Sequence, residues 1–143
     1  MMLAAGAAVA LMMSAVPAMA QENPWKPGAF WEVTGIHVKD GSALTYARHL
    51  ADSWVGSMEF QKSRGWITGY HVLTNEYPRQ GEPDVYLITT FASAPSPEEM
   101  DKRAAEWRAA MKLTMAQAEA ASGQRAEYRT VGSQVLLREQ VRR

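Results

Sequence analysis

Two neighbouring runs with strand-like alternation, Trp66–Thr74 and Asp84–Phe91, occupy the middle of the chain, joined by the polar loop Asn75–Pro83. What flanks them is nearly symmetric. A helix-like segment lies on each side, Ala43–Ser63 and Ser96–Gly123, and a further strand-like run lies beyond each, Phe30–Val38 and Ser133–Val141. The order β-α-β-β-α-β predicts an α+β domain of the ferredoxin-like kind, with a four-stranded antiparallel sheet and two helices on one face.

The residue patterns support each element. In Phe30–Val38, Trp31, Val33, Gly35 and His37 fall on one face, and Phe30, Glu32, Thr34, Ile36 and Val38 on the other. Both faces carry apolar side chains, as a strand covered on two sides requires. Asp40-Gly41 ends that run, and Ser42 is placed to cap the helix that follows. In the first helix, Leu44, Ala47, Ala51, Trp54, Val55 and Met58 recur at helical spacing, and Gly65 supplies a stop. In the second, Ser96 with Glu99 reads as a capping box, and Pro97 sits where its missing N–H costs nothing. Met100, Ala104, Trp107, Met111, Met115 and Ala118 make one continuous apolar stripe, expected to be buried. Gly69, inside a strand pattern, marks a bulge or a close backbone approach. The last run mixes charge with alternation, as an edge strand does.

Composition narrows the function classes. The formal net charge is zero, so no global field favours nucleic acid, and no nucleic-acid partner is expected. Cysteine is absent, which removes disulfides, thiolate metal sites and cysteine nucleophiles. The residues before position 21 contain no charge, and Ala18-Met19-Ala20 has the small residues of a cleavage site after an apolar run. The expected organisation is therefore a signal peptide at 1–20, an extended lead-in at 21–29 with Pro24 and Pro27, and one α+β domain over 30–143. Export to the periplasm or the medium follows, with no stable membrane insertion once the signal is removed. An uncleaved N-terminal anchor, making the chain a tethered interaction module, is the competing expectation.

The stretches Val33-Thr34-Gly35-Ile36, Gly65-Trp66-Ile67-Thr68-Gly69-Tyr70, Asp84-Val85-Tyr86-Leu87 and Gly132-Ser133-Gln134-Val135-Leu136-Leu137-Arg138 resemble segments of small exported bacterial proteins of unassigned function. With the element order from Phe30 to Val141, the chain also resembles the dimeric α+β barrel superfamily. That group includes cofactor-independent monooxygenases, haem-degrading enzymes and stress-responsive barrel proteins. The resemblance implies a homodimer formed through the sheet face. It supplies no catalytic motif to carry over.

The chemistry-bearing candidates are few. His37 and His71 are the first candidates for proton transfer, because imidazole titrates near neutral pH. Trp31, Tyr46, Trp54, Tyr70 and Trp107 are many large rings for one small domain. Filling a core and a dimer interface accounts for them most simply; an aromatic-lined pocket for a small apolar ligand is the alternative. No metal-ligand spacing, Walker loop, nucleophile elbow or dinucleotide fingerprint occurs, so no metal or cofactor is expected. The leading expectation is an exported ligand-binding or non-catalytic domain. A cofactor-independent oxygenase, with His37, His71, Tyr46 or Tyr70 handling protons in an apolar cavity, is the second.

Overall fold

The computed structural model describes residues 22–143. The expected signal peptide and its cleavage point lie outside the described residues. Four strands, β1 (Trp25–Val38), β2 (Gly69–Thr74), β3 (Val85–Phe91) and β4 (Arg129–Arg142), form one antiparallel sheet in the order β2-β3-β1-β4. Helices α1 (Ala43–His49) and α2 (Val55–Ser63) run on from each other through a π turn at Leu50–Trp54. With α3 (Pro97–Ala110) and α4 (Met115–Gln124) they give three helices on an α+β frame compatible with the ferredoxin-like fold.

The register sorts the side chains onto two faces. Val33 pairs with Ile88 and Val135, and Ile88 pairs with His71, so these four share a face. Thr34 pairs with Leu87 and Gln134, and Ile36 with Val85, on the face that meets the helices. Ile36 is the most deeply buried of the large side chains, at 1% exposure, and packs with Tyr46, Leu50 and Val85. The core is therefore local. It lies where α1 crosses the β1–β3 pair.

Two devices hold the end of that pair together. The Asp84 side chain accepts a hydrogen bond from the Val38 backbone at 2.8 Å, and the Asp84 N–H donates to Ile36 at 2.9 Å. On the other face Pro83 is buried against Gly35, where any Cβ would collide with the proline ring and with Ser133.

The second helix of the sequence pattern is two helices. The chain leaves α3 at Met111 and passes through Lys112 with φ of 54° before restarting at Thr114. The restart is specified locally. The Thr114 hydroxyl accepts from the Gln117 N–H, and the Gln117 side chain accepts from the Thr114 N–H, a complete capping box. The unbroken apolar stripe concealed this signal. The stripe is also not buried as expected: Met100 and Met115 are 58% and 66% exposed, because α3 and α4 flank an open cleft instead of closing onto the sheet.

Other local expectations were met in part. Ser96 accepts from the Glu99 N–H, but the Glu99 carboxylate turns to Arg103 at 2.8 Å, so only half of that capping box forms. Ser42 makes no side-chain cap; its backbone joins a turn with Lys39 instead. Gly65 stops α2 with φ of 70°. Gly69 marks close approach, its missing Cβ lying 3.2 Å from the Thr90 hydroxyl. The first and last strands of the chain are longer than their patterns, and β2 is shorter. Trp25, Lys26 and Pro27, expected as lead-in, already pair with Arg142, Val141 and Gln140. Both β4 and β2 are edge strands.

Candidate functional site

Between the helices and the sheet lies a cleft of about 1450 Å³. Its floor is the helix-facing side of the sheet, with Thr34 and Ile36 from β1, Leu87 and Phe91 from β3 and Leu136 from β4. One wall is the α1–α2 rod and the other is α3 with α4. Met100, Ala104, Trp107, Met111 and Ala118 from the interrupted stripe all face into it. Such a lining, apolar with a few polar groups, is what small-ligand sites are made of.

The walls touch at few points. The Trp107 ring N–H donates to Ser57 at 2.7 Å, Arg64 pairs with Glu106, and the Arg103 guanidinium lies 5.5 Å from the Trp66 ring centroid. All three contacts join α3 and its surroundings to α2 and its C-terminal end. Among the described residues no side-chain hydrogen bond or ion pair ties α4 to the sheet, and the cleft is open over β1 and β4.

The π turn matters for the first wall. One extra residue per turn re-phases the rod, and such turns recur at functional sites. Trp54 at its end, and Tyr46, His49, Ser57 and Met58 on either side of it, all line the cleft. Trp54 meets Tyr70 edge-on, with centroids 5.5 Å apart, and the Tyr70 hydroxyl donates to Glu59 at 2.5 Å. That bond holds the Tyr70 proton, raising its pKa.

At the α4 end of the cleft three rings form a near-equilateral cluster. Tyr46 and His49 are 6.1 Å apart, Tyr46 and Tyr128 6.1 Å, and His49 and Tyr128 6.0 Å. Arg125 and Arg129, flanking Tyr128 in sequence, also line the cleft. Burial pushes the His49 pKa below 6.5, and the two guanidinium groups push it further down. Burial raises the Tyr46 pKa, with Arg129 acting against it. At neutral pH the cluster therefore presents a neutral His49 imidazole and a neutral Tyr46 phenol beside the Arg125 and Arg129 guanidinium groups.

The residues singled out from sequence divide between two faces. Tyr46, Trp54 and Trp107 line the cleft, and Tyr70 packs behind Trp54. Trp31, His37 and His71 are on the opposite face. Trp31 stacks on His71, and His37 lies against Gly132, the extra residue where the β1–β4 register shifts between Gly35 and Ile36. The two strand histidines thus share a face, but not the face with the cleft. The sequence marks His49, with Tyr46 and Trp54, as a side chain of the first helix that could do more than pack, without placing it in a site, and it does not point to Tyr128, Arg125 or Arg129. No local spacing links them; only the return of the chain into β4 does.

Among the described residues no cluster of His, Asp and Glu could hold a metal ion, and no helix is long and apolar enough to cross a membrane. Compared with protein-family models, curated proteins and solved structures, the chain has no significant match.

Proposed function

We propose that the protein is an exported homodimeric domain of ferredoxin-like topology that binds a small apolar or aromatic ligand in the cleft between its helices and sheet. The observation that carries the ligand reading is the cleft itself. Large apolar side chains that a closed domain would bury against each other instead face a common space, with Trp54, Met100, Trp107 and Met111 among them. Leaving that much apolar surface wet costs about 25 cal/mol per Å², which a ligand of matching character would recover.

The homodimer reading rests on the other face of the sheet. Val33, Ile88, Trp31, Leu73, Val135 and Leu137 share it, and Leu73, Val135 and Leu137 are exposed. Among the described residues no helix lines that face, and a second copy presents a surface of the same kind for a twofold assembly. A dimer places the two clefts on the outside, each open to solvent. Multi-angle light scattering of the purified chain should give twice the chain mass; a monomer at micromolar concentration removes this part of the reading.

The ligand reading is tested with N-phenyl-1-naphthylamine, an uncharged probe that fluoresces on leaving water. Gly56 lines the cleft, and a Cβ there meets nothing within 4 Å. Gly56→Leu therefore adds bulk to the cleft wall at a position where its Cβ meets no neighbour. Saturable binding by the wild type, weakened in Gly56→Leu with an unchanged circular dichroism spectrum, supports the cleft. Equal binding by both, or none by the wild type, rejects it.

A second reading, an enzyme of the cofactor-independent oxygenase type using the same cleft, is favoured by one feature. His49 lines the cleft as a neutral imidazole, the form that accepts a proton. On this geometry the proton-handling group is His49 with Tyr46 beside it, and His37 and His71 are displaced from the role by the sheet between them and the cleft. Turnover that survives His49→Ala would dismiss it.

A further inference from the structure

Resting on the cleft as a ligand site, we propose that its α4 end selects organic anions: molecules with an apolar or aromatic body and one carboxylate-type head, held by Arg125 and Arg129. The two guanidinium groups are half-buried and face the cleft, one from the turn after α4 and one from the start of β4. Neither forms an ion pair among the described residues, whose ion pairs are Arg64–Glu106, Arg79–Glu82 and Arg103–Glu99. A partly desolvated positive charge without a counter-ion is a standing cost, and an anion bound beside it relieves that cost.

The two arginines are placed for a shared acceptor. Arg125 donates one guanidinium N–H to the Ala121 carbonyl at 3.1 Å, which ties its head to the last turn of α4 and leaves its other donors free. Arg129 belongs to β4 opposite Val38, next to the Tyr128 whose carbonyl accepts from Lys39. Both backbones are therefore anchored, and the planar guanidinium suits bidentate binding of a carboxylate. Two acids also line the cleft. Glu32 is occupied by Gln134, and Asp52 belongs to the π turn on the facing rod; neither pairs with these arginines. The Tyr46, His49 and Tyr128 rings lie next to the arginines, so the apolar body of the ligand would leave the head and run over them toward Trp54 and Trp107.

The test compares two probes that share an anilinonaphthalene body and differ by one anionic group: N-phenyl-1-naphthylamine, uncharged, and 8-anilino-1-naphthalenesulfonate, whose sulfonate stands for the carboxylate. The full chain is titrated with each, as wild type, Arg129→Met, Arg129→Lys and Arg125→Met. In the wild type the anion should bind through the cleft, weakened by Gly56→Leu. Arg129→Met and Arg125→Met should each weaken the anion about tenfold, the scale of one lost charge-assisted contact, and change the uncharged probe by less than about twofold. Arg129→Lys keeps the charge and should recover part of the loss. Added salt should weaken the anion alone.

Because Arg125 also holds the end of α4, Arg129 carries the decision if Arg125→Met fails to fold. Anion binding unchanged in Arg129→Met, with the uncharged probe still bound in the cleft, overturns the anion selectivity and leaves the cleft reading standing. Failure of the uncharged probe to bind the wild type overturns the cleft reading, and this inference falls with it.

Discussion

Trp31 and His71 stack across β3, with ring centroids 6.3 Å apart and planes inclined by only 13°. They come from β1 and β2, strands that do not touch, and the residues between them on that face are Ile88 and Thr90. Both are less than a tenth exposed although, among the described residues, no helix lies on that face. The ring pair thus gives the open face a partial roof. Trp31→Ala should lower the unfolding free energy by about 1–3 kcal/mol, below the value for a fully buried tryptophan because this one is half-buried. It should also shift the proposed dimer toward monomer. His71→Ala, removing an exposed ring, should cost less. Urea denaturation and light scattering read both effects.

Gly35 and Gly56 make a matched pair of opposite sign. Gly35 is enclosed by Pro83 and Ser133, and the proline ring cannot rotate away from an added methyl. Gly35→Ala should destabilise by about 1–3 kcal/mol through overpacking. Gly56 is in α2 with open space where a Cβ would go. Gly56→Ala should stabilise by about 0.5–1 kcal/mol, since alanine loses less backbone entropy in a helix. Denaturant midpoints of the two variants should move in opposite directions.

Thr114 starts α4 with both halves of its capping box in place. Thr114→Ala leaves the first-turn N–H groups without that acceptor and should cost about 1 kcal/mol. Since α4 carries one wall of the cleft, amide exchange across Met115–Gln124 should quicken before exchange in β1 does. Equal acceleration in both elements would mean that α4 does not open as a separate unit.

His49 should make stability depend on pH. Its folded pKa lies below the ordinary 6.5, because of burial first and then Arg125 and Arg129. Between the folded value and 6.5 the unfolded chain binds more protons than the folded one, so stability rises with pH. The contribution is complete above 6.5 and is lost as pH falls from there through the folded pKa. The groups facing this ring are Tyr46, Tyr128, Arg125 and Arg129. His49→Gln should flatten the acid side of the midpoint–pH profile. A profile equally steep in wild type and variant would place the responsible group elsewhere.

The sheet was legible in the sequence because strand alternation is local. The alternation of Val85, Leu87, Thr89 and Phe91 against Tyr86, Ile88 and Thr90 identifies β3 without reference to anything distant. The break between α3 and α4 was also written locally, in Thr114 and Gln117, but the Met100–Ala118 stripe masked it. Helical periodicity records which side chains share a face, not whether that face meets a sheet or a cleft. The His49 cluster was illegible for a different reason. Its members come from α1 and from the chain around the start of β4, and only the pairing of Val38 with Arg129 brings those regions together.

The central claim is that the space between Tyr46, Trp54 and Trp107 is a ligand site. A crystal structure of the chain grown with N-phenyl-1-naphthylamine tests it most directly. The account predicts the naphthyl ring in that cleft, in contact with Trp54 or Trp107. A cleft closed by inward movement of α3 and α4, with the probe absent or seated on the sheet face around Trp31, would contradict it.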